Sequence, residues 1–248
     1  MMEKIQAIVL AAGKGTRMNK GKSSPIPKVM FELGGKPMID YSLVNLKKAG
    51  FFKPIVVIGY KGEIIEKHLG SKAFFAWQKK RLGTAHAVSC AKKAANGAKT
   101  ILVIGGDDSA FYEPEMIEKL VKDHLQSGVD MTLLTVEVAD PKGLGRIVKN
   151  SDGNVEAIVE EKLATPSILK IKEINTGCYV FEASFLWLNL KKVKKNPTGE
   201  YFLTDLVEIA NKGNFKVKAY KTRQANWHGI NTLEQLEAAN VHMRKALK

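Results

Sequence analysis

A junction near the start of this sequence constrains its fold most. The apolar run Ile5–Leu10 (IQAIVL) passes without a break into Ala11-Ala12-Gly13-Lys14-Gly15-Thr16-Arg17-Met18. An apolar run without polar alternation reads as a strand buried on both faces. The two glycines that follow can take backbone angles closed to other residues, and they let main-chain N–H groups approach a phosphate closely. Lys14, Arg17 and, further on, Lys28 add cations suited to phosphate oxygens. A chain that opens in this way is expected to place a strand, a ligand loop and a helical layer in succession, and to handle a nucleotide.

Two familiar patterns are excluded. A GxGxxG dinucleotide loop needs a glycine where Met18 stands, and a P-loop ending at Gly21-Lys22-Ser23 needs one where Thr16 stands. A glycine-rich βα turn without a ligand is the alternative reading of the loop taken alone.

The pattern of the first half extends this reading. Pro54–Gly59, Ala73–Trp77, Thr100–Ile104 and Asp130–Val138 read as strands. Met38–Ala49, Glu63–Leu69, Thr84–Ala95 and Pro114–Ser127 read as helices between them. Apolar strands separated by helices argue for a mostly parallel sheet covered on both faces. The second half changes character. Arg146–Val148 and Val155–Val159 read as a hairpin turning at Asn150-Ser151-Asp152-Gly153. Glu173–Phe181 and Phe215–Tyr220 read as strands, and Ala183–Leu190, Tyr201–Asn211 and Thr232–Leu247 as helices, the last with Thr232 as N-cap. The expected fold is α/β, a Rossmann-like mixed, mostly parallel sheet flanked by helices, with a small β insertion that forms part of a pocket. One domain over 1–248 is expected, with a nucleotide-binding half to about residue 110 and a sugar-binding half from about 111.

The 248 residues are 45% hydrophobic, enough for a full core, and no stretch reads as a signal peptide or approaches a membrane span. Cys90 and Cys178 lie far apart without metal-ligand spacing and read as reduced thiols of a cytoplasmic protein. The net charge of +14 suits anionic partners, but its lysines are scattered in short clusters such as Lys79-Lys80-Arg81, with no RNP-like aromatic pattern. Small anionic substrates are therefore expected, with neither nucleic acid nor membrane as partner. The sequence leaves the oligomeric state open.

In open α/β sheets, ligands bind at the carboxyl ends of the strands. The chemically distinctive residues fall there repeatedly: the glycine loop, Trp77-Gln78 with Leu82-Gly83-Thr84-Ala85-His86, Gly105-Gly106-Asp107-Asp108, and His228-Gly229-Ile230-Asn231. Asp107 after a buried strand suits a hard cation such as Mg²⁺; an Asx turn or helix cap before Pro114 is the other reading, and Asp108 is an equal candidate by position. His86 and His228 have no i, i+4 partner and read as helix-surface or loop histidines rather than metal ligands. Gln78 could read a base edge through its amide, or cap a strand end.

Taken together, LAAGKGTRM, Pro27-Lys28, Arg81–Ala87 (RLGTAHA), Gly106-Asp107, Glu173–Gly177 (EINTG), Gly199–Asp205 (GEYFLTD) and Gly229-Ile230-Asn231 resemble the sugar-1-phosphate nucleotidyltransferases. The likeness is greatest to the uridyltransferase domain of bacterial N-acetylglucosamine-1-phosphate uridyltransferases. It runs from about Lys4 to Leu247 in the family's order. What the resemblance implies is specific. Leu10, Ala11, Ala12, Gly13 and Gly15 would wrap the nucleoside and triphosphate, with Arg17 and Lys28 facing the phosphates. Gln78, Gly83 and Thr84 would read the uracil. Asp107 and Asn231 would hold a catalytic Mg²⁺. Gly145, Glu160, Asn175 and Thr176 would line the sugar pocket, with Glu161 the rival of Glu160.

The implied reaction makes UDP-N-acetylglucosamine and pyrophosphate from UTP and the sugar 1-phosphate. The alternatives are another UDP- or dTDP-sugar, or a non-catalytic sugar-nucleotide-binding protein. The chain departs from the family's pattern at Gly105, where an aromatic is common, and at Asp108-Ser109-Ala110, where an apolar residue and Pro-Leu are usual. Its loop between Arg17 and Lys28 is longer than usual. No hexapeptide repeats occur before Lys248, so the family's acetyltransferase domain is not expected in this chain.

Overall fold

The computed structural model describes residues 4–19, 24–107, 111–222 and 229–246, without the side chains of Arg17, Asn19 and residues 242–246. The strands are β1 (Ile5–Ala11), β2 (Glu32–Leu33), β3 (Lys36–Pro37), β4 (Ile55–Ile58), β5 (Phe74–Trp77), β6 (Thr100–Gly105), β7 (Met131–Glu137), β8 (Arg146–Lys149), β9 (Val155–Val159), β10 (Glu173–Glu182) and β11 (Val217–Thr222). The α-helices are α1 (Met38–Lys48), α2 (Gly62–Leu69), α3 (Thr84–Cys90), α4 (Pro114–Ser127), α5 (Pro166–Leu169), α6 (Ala183–Asn189), α7 (Leu206–Lys212) and α8 (Leu233–Ala246).

One nine-stranded sheet carries both halves of the chain, in the order β11-β7-β10-β6-β1-β4-β5, with β8 paired to β10 and to β9. β1 runs parallel to β4 and β6, and β4 parallel to β5, so all four strands end at the same edge. β10 enters antiparallel between β6 and β7, and β11 pairs parallel with β7. The sheet is thus mixed around a parallel half, as the sequence pattern implies. The start of β10 lies at the edge where β6 ends, which brings the second half of the chain to the ligand side.

Both faces are covered. On one face Leu46 of α1, Ile65 of α2, Ile117 and Leu120 of α4 and Leu236 of α8 pack together. On the other, Val88 of α3, Phe185 and Leu186 of α6 and Leu206 of α7 pack with Ile147 and Ile158 of the β8–β9 hairpin. Ile101, Leu102, Val103 and Ile104 of β6 are all 0% exposed, which is why that strand reads as a continuous apolar run. Each such side chain contributes roughly 1.5–3 kcal/mol of burial free energy, so β6 is the mechanical backbone on which Gly106 and Asp107 are carried.

Several boundaries differ from the pattern. The helix expected to reach Ala95 stops at Cys90, where the amides of Ala91 and Lys92 turn to the carbonyls three residues back, Val88 and Ser89. The helix expected from Tyr201 starts instead with a 3₁₀ turn at Leu203–Asp205, because the main chain at Tyr201 and Leu203 is already engaged with the loop before α3. Among the described residues, no helix is long and apolar enough to cross a membrane.

Candidate active site

The glycine loop is shaped by close contacts that only glycine permits. Gly15 has φ +65°, and a Cβ there would lie 3.0 Å from Cβ of Lys28. The loop therefore rests directly on the segment that carries Lys28. Upstream, the Leu10 carbonyl accepts from the Gly106 amide at 2.9 Å, and the Ala12 carbonyl accepts from the Tyr60 amide at 3.4 Å. Leu10, Ala11 and Ala12 are thereby fixed between the ends of β6 and β4. Gly13 is exposed, with open space where a Cβ would be. The backbone of Arg17 lies in the 3₁₀ turn Thr16–Asn19; its side chain is outside the described residues.

At the centre of the edge, three side chains from distant parts of the chain meet. The Lys28 ammonium pairs with Oδ2 of Asp107 and donates to Oδ1 of Asn231 at 2.9 Å. Lys28 is only 8% exposed, so its charge is held by these oxygens rather than by bulk water. Asn231 is positioned by a capping box. The Thr232 hydroxyl accepts from the Gln235 amide at 3.2 Å, and the Gln235 side chain accepts from the amides of Asn231 and Thr232 at 2.7 and 3.1 Å. Thr232 is thus the N-cap that the sequence indicates.

Gly105 has its own part here. A Cβ at that position would stand 2.9 Å from Oδ1 of Asp107, so the absence of a side chain leaves room for the carboxylate to fold back.

Asp107 and Asn231 are the two residues expected to hold Mg²⁺. The donor set fits that ion: two hard oxygens converge on one cationic head. Among the described residues no cluster of three or more His, Cys, Asp or Glu exists. Asp108 and His228 lie outside the described residues.

At the end of β5, on the same sheet edge, a cluster is built around Gln78. Its side chain is almost fully buried, and Nε2 donates to the Gly83 carbonyl at 2.9 Å and meets Nδ1 of His86 at 3.0 Å. Gly83 has φ +96°, and a Cβ there would sit 2.4 Å from the Tyr201 carbonyl oxygen. Tyr201 donates its amide to Leu82 and accepts from Ala85, at 2.8 and 3.0 Å, while the Leu203 amide donates to Oγ1 of Thr84 at 2.8 Å. The GEYFLTD segment therefore clamps the loop carrying Gly83 and Thr84.

The other side of the site is made from β8, β9 and β10. A Cβ on Gly145 would approach Oε1 of Glu160 to 3.5 Å and Cβ of Asn175 to 3.7 Å, so the three residues adjoin. Asn175 donates its amide to the Gly145 carbonyl at 2.9 Å and its Nδ2 to the Tyr179 hydroxyl at 2.6 Å. Burial drives the Tyr179 phenol well above its usual range, against the lowering effect of Asn175 and with the Glu160 carboxylate adding to the rise. Tyr179 stays protonated. A bulge between Asn175 and Tyr179, with Gly177 at φ +79°, breaks the pairing with β7 and re-aims this stretch.

The residues expected on this side are placed differently from one another. Glu160 adjoins Gly145, whereas Glu161 binds the Gly143 amide and Arg146, at 2.5 and 3.2 Å. Thr176 does not join the cluster through its side chain. Its hydroxyl donates to the Leu134 carbonyl at 2.9 Å in the core, and its carbonyl accepts from the Tyr112 hydroxyl at 2.5 Å. Consecutive strand residues point to opposite faces, so Asn175 and Thr176 cannot both line the pocket by side chain.

Sequence reasoning overlooked Tyr179 and the clamp at Tyr201, and read His86 as a helix-surface or loop histidine rather than as a partner of Gln78. It also missed Tyr60, whose hydroxyl donates to the Ser24 carbonyl at 2.6 Å while the ammonium groups of Lys14 and Lys61 lie 5.6 and 5.7 Å from its ring centre. The Thr-x-x-Gln spacing of the capping box beside Asn231 was visible and would have located the anchor of that residue.

Comparison with known proteins places this geometry in context. Residues 6–246 match the family described as Nucleotidyl transferase. The chain is 40% identical over 244 residues to Bifunctional protein GlmU of Bacillus cereus (strain G9842), and equally to those of Bacillus thuringiensis (strain Al Hakam) and Bacillus anthracis (strain CDC 684). These matches cover 97% of this chain and 52% of each relative, so the chain spans about half the length of the curated relatives it matches. A solved Bacillus anthracis protein in complex with a sucrose, provisionally named glucose-1-phosphate thymidylyltransferase, aligns with a TM-score of 0.77 at 22% identity, over 97% of this chain and 95% of that one. That likeness is one of fold.

Proposed function

The chain belongs to the nucleotidyl transferase family, and on that premise we propose that it is a sugar-1-phosphate uridylyltransferase. It would join UTP and N-acetylglucosamine 1-phosphate into UDP-N-acetylglucosamine, releasing pyrophosphate. The observation that carries this reading is the convergence of Lys28 on Asp107 and Asn231 at the sheet edge, between the Gln78–Gly83 cluster and the Gly145–Glu160–Asn175 cluster.

The residue types match the chemistry. A sugar 1-phosphate is already an anionic nucleophile, so its oxygen attacks the α-phosphorus of UTP without a general base. The bond from that phosphorus to the bridging oxygen breaks, and pyrophosphate leaves with the electron pair. The protein must hold two mutually repelling anions in line and neutralise the charge that builds on the leaving group. Lys28 supplies a buried positive charge for phosphate oxygens. Asp107 and Asn231 would hold Mg²⁺, which supplies further neutralisation of both phosphates when bound. The Lys28 ammonium, now held by those two oxygens, would be the side-chain cation that serves a phosphate oxygen when the triphosphate is bound. Gln78, Gly83 and Thr84 would hold the base. Glu160 would accept from sugar hydroxyls, with Gly145 and Asn175 completing the sugar pocket.

Pyrophosphate release from a panel of UTP, dTTP and CTP, each crossed with N-acetylglucosamine 1-phosphate and glucose 1-phosphate, tests the reading. The highest kcat/KM is expected for UTP with N-acetylglucosamine 1-phosphate. A higher value for dTTP with glucose 1-phosphate would overturn it in favour of a dTDP-sugar enzyme, and tight UDP-sugar binding without release in any combination would favour a binding protein.

A further inference from the structure

We infer that His86 is a positioning residue that, together with the Gly83 carbonyl, holds the Gln78 amide with its oxygen toward the base, so that the site accepts a pyrimidine carrying an N–H on its pairing edge. The inference rests on the nucleotide reading above and deepens it. Gln78 is only 5% exposed, so its amide end must be set by its neighbours. Its Nε2 has two hydrogens and two partners, the Gly83 carbonyl at 2.9 Å and Nδ1 of His86 at 3.0 Å. A backbone carbonyl can only accept, so it requires nitrogen rather than oxygen at this point. With both hydrogens placed, His86 must accept through Nδ1 and carry its proton on Nε2.

The flipped amide would set Oε1 against the Gly83 carbonyl, and against Nδ1 as well while the imidazole keeps its proton on Nε2. Gln78 therefore offers its oxygen, an acceptor, to whatever lies in the pocket. Uracil and thymine present an N3–H to an acceptor; cytosine presents a bare N3 there and is rejected. Selection by an unpaired polar edge is steep, because the wrong base leaves a buried acceptor without a donor. The scaffold around the pair is rigid. Gly83 is wedged against Tyr201, Thr84 is tied to Leu203, and the Ser89 hydroxyl donates to the His86 carbonyl at 2.7 Å.

The test uses the full chain with two substitutions, His86→Phe and His86→Asn. Phenylalanine fills the space but cannot accept, whereas the asparagine Oδ1 can accept near the place of Nδ1. Dissociation constants for UTP and CTP are measured by calorimetry, which needs no turnover, beside kcat/KM for both nucleotides by pyrophosphate release. His86→Phe is expected to shrink the preference for UTP over CTP about tenfold, the worth of one hydrogen bond, and His86→Asn to restore most of it. In the wild type, ¹⁵N NMR is expected to show His86 as the Nε2–H tautomer. An unchanged UTP:CTP ratio in His86→Phe, equal loss of preference in both variants, or an Nδ1–H tautomer would overturn the role of His86 while leaving the uridylyltransferase reading intact. Normal nucleotide selectivity in binding without pyrophosphate release from any sugar phosphate would instead break that reading and leave the role of His86 standing.

Discussion

Around the glycine loop, the surface offered to a ligand is largely main chain, shaped by positions where a side chain would collide: Gly15 against Lys28 and Gly83 against Tyr201. Around Asn175 it is made of side chains, Glu160 and Asn175, backed by the buried Tyr179 and brought together by antiparallel pairing and a bulge. The first arrangement suits phosphates and a planar base, which are recognised by close approach and fixed dipoles. The second suits a sugar, whose hydroxyls need donors and acceptors at particular points. Lys28, Asp107 and Asn231 stand where the two meet.

Breaking the meeting point should cost most. Asp107→Ala and Lys28→Ala are each expected to lower kcat about 10³-fold, because each removes charge stabilisation realised in the transition state. Steady-state pyrophosphate release with saturating Mg²⁺ reads this, and near-normal turnover in Asp107→Ala would remove Asp107 from the site. On the nucleotide end, Gly83→Ala should lower kcat/KM for UTP about 100-fold, since the backbone must leave a positive-φ conformation and move from Tyr201. The sugar-phosphate KM should change little, and equal damage to both substrates would erase the distinction between the two ends.

Behind the second-half strands, His124 of α4 is buried beside Thr132, and burial pushes its imidazole down to about 4. Its folded value lies below the unfolded one, so its contribution to stability is present above about pH 6.5 and is lost as the pH falls toward 4. Linkage sets that loss at roughly 2 kcal/mol by pH 5. Denaturant titrations of wild type and His124→Leu should show the wild type losing more stability between pH 7 and pH 5; parallel curves would refute the assignment.

The smallest activity effect is expected at the sugar end, where Glu160→Ala should raise the sugar-phosphate KM roughly tenfold with the UTP KM unchanged, one charge-assisted hydrogen bond being lost. Its neighbour serves as control. Glu161→Ala should act on stability, by roughly 3 kcal/mol, since it leaves the nearly buried Arg146 guanidinium without its carboxylate. Reversed outcomes would exchange the two roles.

The same division explains what could be read in advance. β1 with its glycine loop, and α4 from Pro114 to the left-handed Gly128, follow from local chemistry, because strand runs, helix caps and glycine conformations are written over a few residues. The placement of β10 between β6 and β7 is not local, and neither is the bulge between Asn175 and Tyr179. Adjacent Glu160 and Glu161 could not be told apart by spacing, since what distinguishes them, the hold of Arg146 and the Gly143 amide on Glu161, arises only in the fold. Likewise, Gln78 was recognisable as a residue, but the direction of its amide depends on a carbonyl and an imidazole that only the fold supplies.

One site with two dependent ends is tested by pyrophosphate release from UTP in Mg²⁺ with and without N-acetylglucosamine 1-phosphate. One pyrophosphate per UDP-N-acetylglucosamine formed, and none without the sugar phosphate, is the predicted result. Release that proceeds equally without the sugar phosphate, or no release with it, would contradict the account.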